Sequence, residues 1–276
     1  LVYWYGRAHW NTNVSPNQLG KSRGLTEADA HGWFGPDNEH FLLNGVCSTR
    51  ELTGDPALLD EIRHHAMLFL GSETTDPSIA TTRIAVSRAA GWTLLSMANA
   101  YRLLLMDEPL RMRIRQRAAE RCAYWMQQWL PNKLWDVRPN TVGNYLSVAW
   151  APCYCMTYQQ AVGMFGMWYA GKVMEMPSVV SYAQESAKTW LAASYLDRTE
   201  LEIVACAQDG TPLPSKILGE TAVSTGWFRR KWMPLGLFVA SQTKPSAALL
   251  LRDIINEPAP SSELGVDDFL IPQVTP

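Results

Sequence analysis

Four prolines constrain this chain more than any other feature. Pro56, Pro109, Pro177 and Pro245 each close a short turn and each open a helical stretch: Thr53-Gly-Asp-Pro56, Met106-Asp-Glu-Pro109, Met174-Glu-Met-Pro177 and Gln242-Thr-Lys-Pro245. Proline fits the first helical position because its fixed φ suits the helix and its missing N–H would have had no partner there. The four recur at intervals of 53, 68 and 68 residues. That spacing is a repeat at the scale of a helix pair.

The stretches on either side of each proline differ in kind. The segments before them, 37–51, 83–105, 148–173 and 225–241, are apolar on most of their surface. Those that follow, among them 57–70, 110–130 and 179–196, are one-sided. Asp60, Glu61, Arg63 and His64 mark the polar side of the first, and Arg111, Arg113, Arg115, Arg117, Glu120 and Arg121 that of the second. A helix apolar all round is buried between neighbours, whereas a one-sided helix faces water. The chain therefore reads as all-α. Inner and outer helices alternate in repeated hairpins that close into an (α/α) toroid or stack as a solenoid. Four hairpins are visible, so a toroid built from them alone is incomplete. Residues 1–30 read as an irregular arm, 31–255 as the helical domain and 256–276 as a surface segment. Pro234 is expected to kink the last inner helix.

Connections at the two ends of the hairpins are unequal. Inner-to-outer turns are tight, while 71–82, 131–147 and 197–219 are long. Long loops on one rim are what a binding site at that rim would need. Ile203-Val-Ala-Cys206 with Asp209-Gly-Thr-Pro is expected to form a small hairpin there. His40, Trp92, Gln160 and Trp227 lie 16, 17, 17 and 18 residues before their prolines. That places them at similar heights on the four inner helices, close to the long-loop rim.

Composition narrows the function classes. With 276 residues, 47% hydrophobic and 18% charged, the chain can bury a large core. A net charge of −2 without a basic run argues against a nucleic-acid partner. No apolar stretch approaches the roughly 18–20 residues of a membrane span, residues 161–170 coming nearest. The chain opens on Leu1 without a charged-then-apolar leader, as a mature protein or a piece of a longer one would. Cys47, Cys122, Cys153, Cys155 and Cys206 contain no C-x-x-C pair and read as small core residues, which leaves the compartment open. No metal or cofactor is expected. His64-His65 reads as outer-helix surface. The 12 tryptophans suit either a wide helical core or a sugar-stacking cleft.

The densest chemistry lies in His31-Gly-Trp-Phe-Gly-Pro-Asp-Asn-Glu-His-Phe41. Gly32, Gly35 and Pro36 mark a turn, with Asp37 as the expected cap of the first inner helix. Asp37, Glu39 and His40 would crowd its first turn, where free N–H groups and the helix dipole also point. These residues, together with Glu51-Leu-Thr-Gly-Asp-Pro-Ala-Leu-Leu59 and Arg88-Ala-Ala-Gly-Trp92 followed by Ala98-Asn-Ala-Tyr101, resemble the α/α toroids of carbohydrate-active enzymes. Those are the six-hairpin glycosidases, the sugar epimerases and the toroidal polysaccharide lyases. The resemblance covers roughly residues 30–255 and is one of fold.

What it implies about activity is therefore an analogy. A poly- or oligosaccharide partner is expected, with further domains of a longer chain. A lyase acting on uronates would use His40 or His31 and Tyr158 or Tyr154 as base and acid, with Arg88 or Arg230 on the sugar carboxylate. A hydrolase would need two carboxylates, Asp37 and Glu39, or one of these with Glu220 or Asp136. The lyase reading uses more of the parts present. In a non-catalytic sugar binder, Trp33, Trp92 and Trp227 would stack on sugar faces. A different class is a helical scaffold that binds protein along a concave face, its aromatics serving only as core.

Overall fold

The computed structural model describes residues 43–72, 87–128, 133, 153–193, 203–206 and 233–256. They form eight helices and one two-stranded ribbon. In chain order these are α1 (Asn44–Thr53), α2 (Ala57–Ser72), α3 (Ser87–Leu103), α4 (Glu108–Gln128), β1 (Cys153–Met156), α5 (Thr157–Val173), α6 (Pro177–Ala193), β2 (Ile203–Cys206), α7 (Met233–Ser241) and α8 (Pro245–Ile255). Each proline turn joins an inner helix to the outer helix packed beside it, so the pairs are α1/α2, α3/α4, α5/α6 and α7/α8. Successive inner helices also touch, α1 with α3, α3 with α5 and α5 with α7.

The turns work through local chemistry. Gly54 takes a left-handed φ of 71° and donates its N–H to Arg50 O at 2.9 Å, ending α1. Asp55 Oδ1 then accepts the Ala57 N–H at 2.9 Å and starts α2. Asp107 repeats the device, accepting the Leu110 N–H at 3.3 Å. Its other oxygen accepts from Arg63 Nε at 3.0 Å, tying α2 to the start of α4. Glu175, with φ 55°, makes the left-handed bend between α5 and α6.

The core lies along α3 and α5. Every residue from Ala90 to Ala100, and from Gln159 to Gly171, is buried. The two helices meet backbone to backbone at glycine. A Cβ on Gly91 would lie 2.2 Å from Val162 O, and one on Gly166 would lie 2.2 Å from Gly91 O. Higher residue numbers on α3 meet higher numbers on α5, as Asn99 does with Tyr169, so the inner helices run parallel. On the far side of α5, Phe238 of α7 packs edge-on against Phe165 and Trp168. No described helix is long and apolar enough to cross a membrane.

Three expectations are corrected. The first inner helix starts at Asn44, not Asp37; Leu43 precedes it, its N–H donating to Ser96 Oγ at 3.1 Å. That anchor is tertiary, and a local capping rule has no view of it. The third inner helix starts at Thr157, not near 148, because Cys153–Met156 is a strand. Ile203–Cys206 is a strand, as expected, and pairs antiparallel with Cys153–Met156; residues 209–212, the other part of that expectation, lie outside the described residues. A short apolar run suits strand and helix alike, and the distant partner edge decides. Finally, α7 begins at Met233, so Pro234 falls in its first turn, where proline needs no kink.

Candidate functional site

The long-loop rim is where α3 and α5 begin. Arg88 is the second residue of α3 and Tyr158 the second of α5. Gly91 lies against Val162 and Gly163, one turn further into each helix. The backbone therefore carries Arg88 and Tyr158 to the same end of two touching, parallel helices. Tyr154 lies in β1, directly ahead of α5. Parallel helix starts present unpaired N–H groups and partial positive charge, an environment that favours a carboxylate. His31, Trp33, Asp37, Glu39, His40, Trp227 and Arg230 lie outside the described residues, as do Asp136 and Glu220.

Two other candidates sit inside the helix layer. Trp92 is 4% exposed, one turn below Arg88. Gln160 is fully buried, and its side-chain amide donates to Ser186 Oγ at 2.8 Å and to Lys133 O at 3.3 Å. Ser186 Oγ also donates to Lys133 O, at 2.6 Å. Lys133 has a left-handed φ of 66° and lies between α4 and β1, with its ammonium 5.9 Å from the Tyr182 ring. Gln160 and Ser186 thus hold one carbonyl of the connection that follows α4. Sequence reasoning placed Gln160 at the rim and missed Ser186 and Lys133. A buried glutamine in an apolar helix was the available signal, since such an amide needs a partner.

A second polar cluster joins α1, α3 and α5 nearer the tight turns. Asn99 Nδ2 donates to Asn44 Oδ1 at 2.8 Å, and Asn99 Oδ1 accepts from Tyr169 Oη at 2.9 Å and from Arg102 at 3.5 Å. Arg102 pairs with Glu51. The Glu51 carboxylate raises the Arg102 pKa, so this cation stays charged. Burial raises the Tyr169 pKa, opposed by Arg102, and pushes that of Tyr182 up to about 12. Both phenols stay protonated and donate hydrogen bonds; Tyr182 Oη reaches Met126 O at 3.1 Å. Neither is poised as a base.

Two assignments to the outer surface are corrected. His65 is 5% exposed, and its Nε2 lies 2.7 Å from Glu61 Oε1. Arg121 is 2% exposed, although it belongs to the basic series of α4. Each lies on the inward side of its helix, where a heptad-scale pattern puts one polar residue among several apolar ones.

Parallel inner helices ringed by antiparallel outer ones, with tight turns on one side, define an (α/α) toroid arrangement, with four hairpins among the described residues. Among solved structures the chain is similar to the crystal structure of an unsaturated glucuronyl hydrolase specific for heparin, with a TM-score of 0.53 and 16% identity. The likeness covers 79% of this chain and 56% of that one, so the chain spans little more than half the length of that protein. At this identity it establishes the fold. No protein-family model matches the chain, and no curated protein matches it.

Proposed function

We propose that this chain is a carbohydrate-active enzyme, or the toroidal part of one, that cleaves a glycosidic linkage of a uronate-bearing saccharide. The observation that supports this most is the placement of Arg88 and Tyr158 at the starts of adjacent parallel helices, in a fold similar to that of a glucuronyl hydrolase. An arginine beside two helix N-termini suits a sugar carboxylate. The hydrolytic reading assigns Asp37 and Glu39 as acid and base, with His31, Trp33, Tyr154, Trp227 and Arg230 contributing to the sugar cleft and the buried Trp92 and Gln160 supporting the helix starts from within the layer. A second reading is β-elimination. The start of α5 at Tyr158 and of α3 at Arg88, on two touching helices, supports that route, because a cation brought close to a phenol would favour its ionised form. His40 would then complete the proton transfers.

One assay separates these readings. The protein is incubated with saturated and unsaturated uronate oligosaccharides, and both reducing ends and absorbance of the unsaturated uronyl group are followed. New reducing ends without a gain in absorbance support hydrolysis, and a gain supports elimination. Arg88→Ala and Tyr158→Phe are each expected to lower kcat/KM at least ~100-fold with the unfolding transition unchanged. Saturable binding without product, or no response to any uronate, overturns the proposal.

A further inference from the structure

The ribbon brings together cysteines that the sequence keeps apart. In the register of β1 and β2, Cys153 is the direct partner of Cys206 and Cys155 that of Val204. Directly opposed residues of an antiparallel pair have Cα atoms ~4.5 or ~5.5 Å apart, depending on whether they exchange hydrogen bonds. Both values fall inside the ~4.4–6.8 Å that a disulfide spans. Opposed residues share one face of the ribbon, and faces alternate along a strand. Cys155 therefore shares that face and lies diagonal to Cys206. Three of the five cysteines gather on one face of an eight-residue ribbon.

The other two are set apart chemically. Cys47 and Cys122 are buried in the helix core, and burial pushes both thiols up to about 12. Such thiols hold almost no thiolate at neutral pH and do not exchange.

We propose that Cys153 and Cys206 are a covalent modification site, forming a reversible cross-strand disulfide with a low-molecular-weight disulfide as oxidant. One cysteine thiolate attacks a sulfur of that disulfide, giving a mixed disulfide and releasing one thiolate. The second cysteine thiolate then attacks the protein sulfur of the mixed disulfide and releases the other. The two protons lost from the protein thiols end on the two released small thiols. The protein pair is oxidised by two electrons and the small disulfide reduced by two. Because Met156 is followed at once by Thr157, the first residue of α5, the bond would clip residues 203–206 to the segment that launches this inner helix. Two connections of the long-loop rim would become one covalent unit. This inference does not depend on the saccharide reading.

The test is a non-reduced peptide map of the folded full chain after incubation with glutathione disulfide, with free thiols alkylated first under native and then under denaturing conditions. The expected result is a dominant Cys153–Cys206 cross-link that dithiothreitol reverses, with Cys47 and Cys122 alkylated only after denaturation. The closed loop of some fifty residues should raise Tm by roughly 5 °C or more. Cys206→Ser should abolish both the cross-link and the shift, and Cys155→Ser should retain both. Three results would each overturn the proposal. In the first, Cys153 and Cys206 link only after unfolding. In the second, Cys155–Cys206 is the dominant link. In the third, one equivalent of zinc is released when the thiols are modified, which would mark a thiolate metal site instead.

Discussion

Asn99 carries more of the helix-to-helix register than any other single side chain described. It meets Asn44, Tyr169 and Arg102 at once. Removing it strands polar groups on three helices, so Asn99→Leu should cost about 2–4 kcal/mol in urea unfolding. Tyr169→Phe removes one donor and leaves Asn99 Oδ1 with Arg102, so its cost should be nearer ~1 kcal/mol. Equal costs for the two variants would mean that the cluster is not organised around Asn99. His65 makes a prediction in pH. Burial lowers its pKa below the ordinary 6.5, and the hydrogen bond that the ring donates to Glu61 only partly opposes this. As pH falls through 6.5, the unfolded chain takes up a proton that the folded chain refuses. Stability is therefore present above that pH and is lost below it, down to the folded value. His65→Phe should lose less stability than the parent between about pH 7.5 and 5.5. Parallel stability curves would show that the imidazole does not titrate differently on folding. The partners of Asn99 could not be named from sequence, and neither could the burial of His65, although Glu61 lies one turn before it. Asn44 and Asn99 are 55 positions apart, and nothing local distinguishes His65 from the exposed His64 beside it.

At the level of the element, glycine decides how closely the inner helices approach. An alanine Cβ at position 91 would lie 2.2 Å from the backbone oxygen of Val162, inside another helix that cannot yield locally. Gly91→Ala should therefore destabilise the protein by about 2–4 kcal/mol, although alanine is the better helix former. Gly45 provides the control, since nothing lies within 4 Å of its would-be Cβ. Gly45→Ala should stabilise by roughly 0.5–1 kcal/mol. Both values come from the same denaturant titration, and a benign Gly91→Ala would refute the close contact of α3 with α5. The proline turns show what is legible at this scale. Gly54, Asp55 and Pro56 each act within a few residues of their own position, so their pattern survives in sequence. The ribbon shows the opposite case. Cys153–Met156 gains its strand conformation from a partner some fifty residues later, and periodicity in a four-residue run has nothing to say about that.

For the whole molecule, the layers imply an order of protection. Amides of α3 and α5, buried on every side from Ala90 to Ala100 and from Gln159 to Gly171, should exchange with deuterium most slowly. Those of α1 and α8, which expose Leu52 at 82% and Ile255 at 61%, should exchange much faster. Uniform protection across the eight described helices would contradict a core centred on the α3–α5 contact. The interval of 53 residues between the first two prolines reappears as the 53-residue separation of Leu43 and Ser96, which hydrogen-bond across α1 and α3. The proposed site was legible only as residue types. Arg88 and Tyr158 stand on the described rim, Gln160 is engaged inside the helix layer, and Asp37, Glu39 and His40 lie outside the described residues. What the amino-acid order determined by itself was the alternation of buried and one-sided helices and the turns between them, because those depend on dihedral preference and on periodicity within a few residues. What only the tertiary structure decided was which helix ends meet, which polar groups satisfy one another and which strands pair. Those are choices among distant partners, settled by packing and by the cost of leaving a buried polar group unbonded.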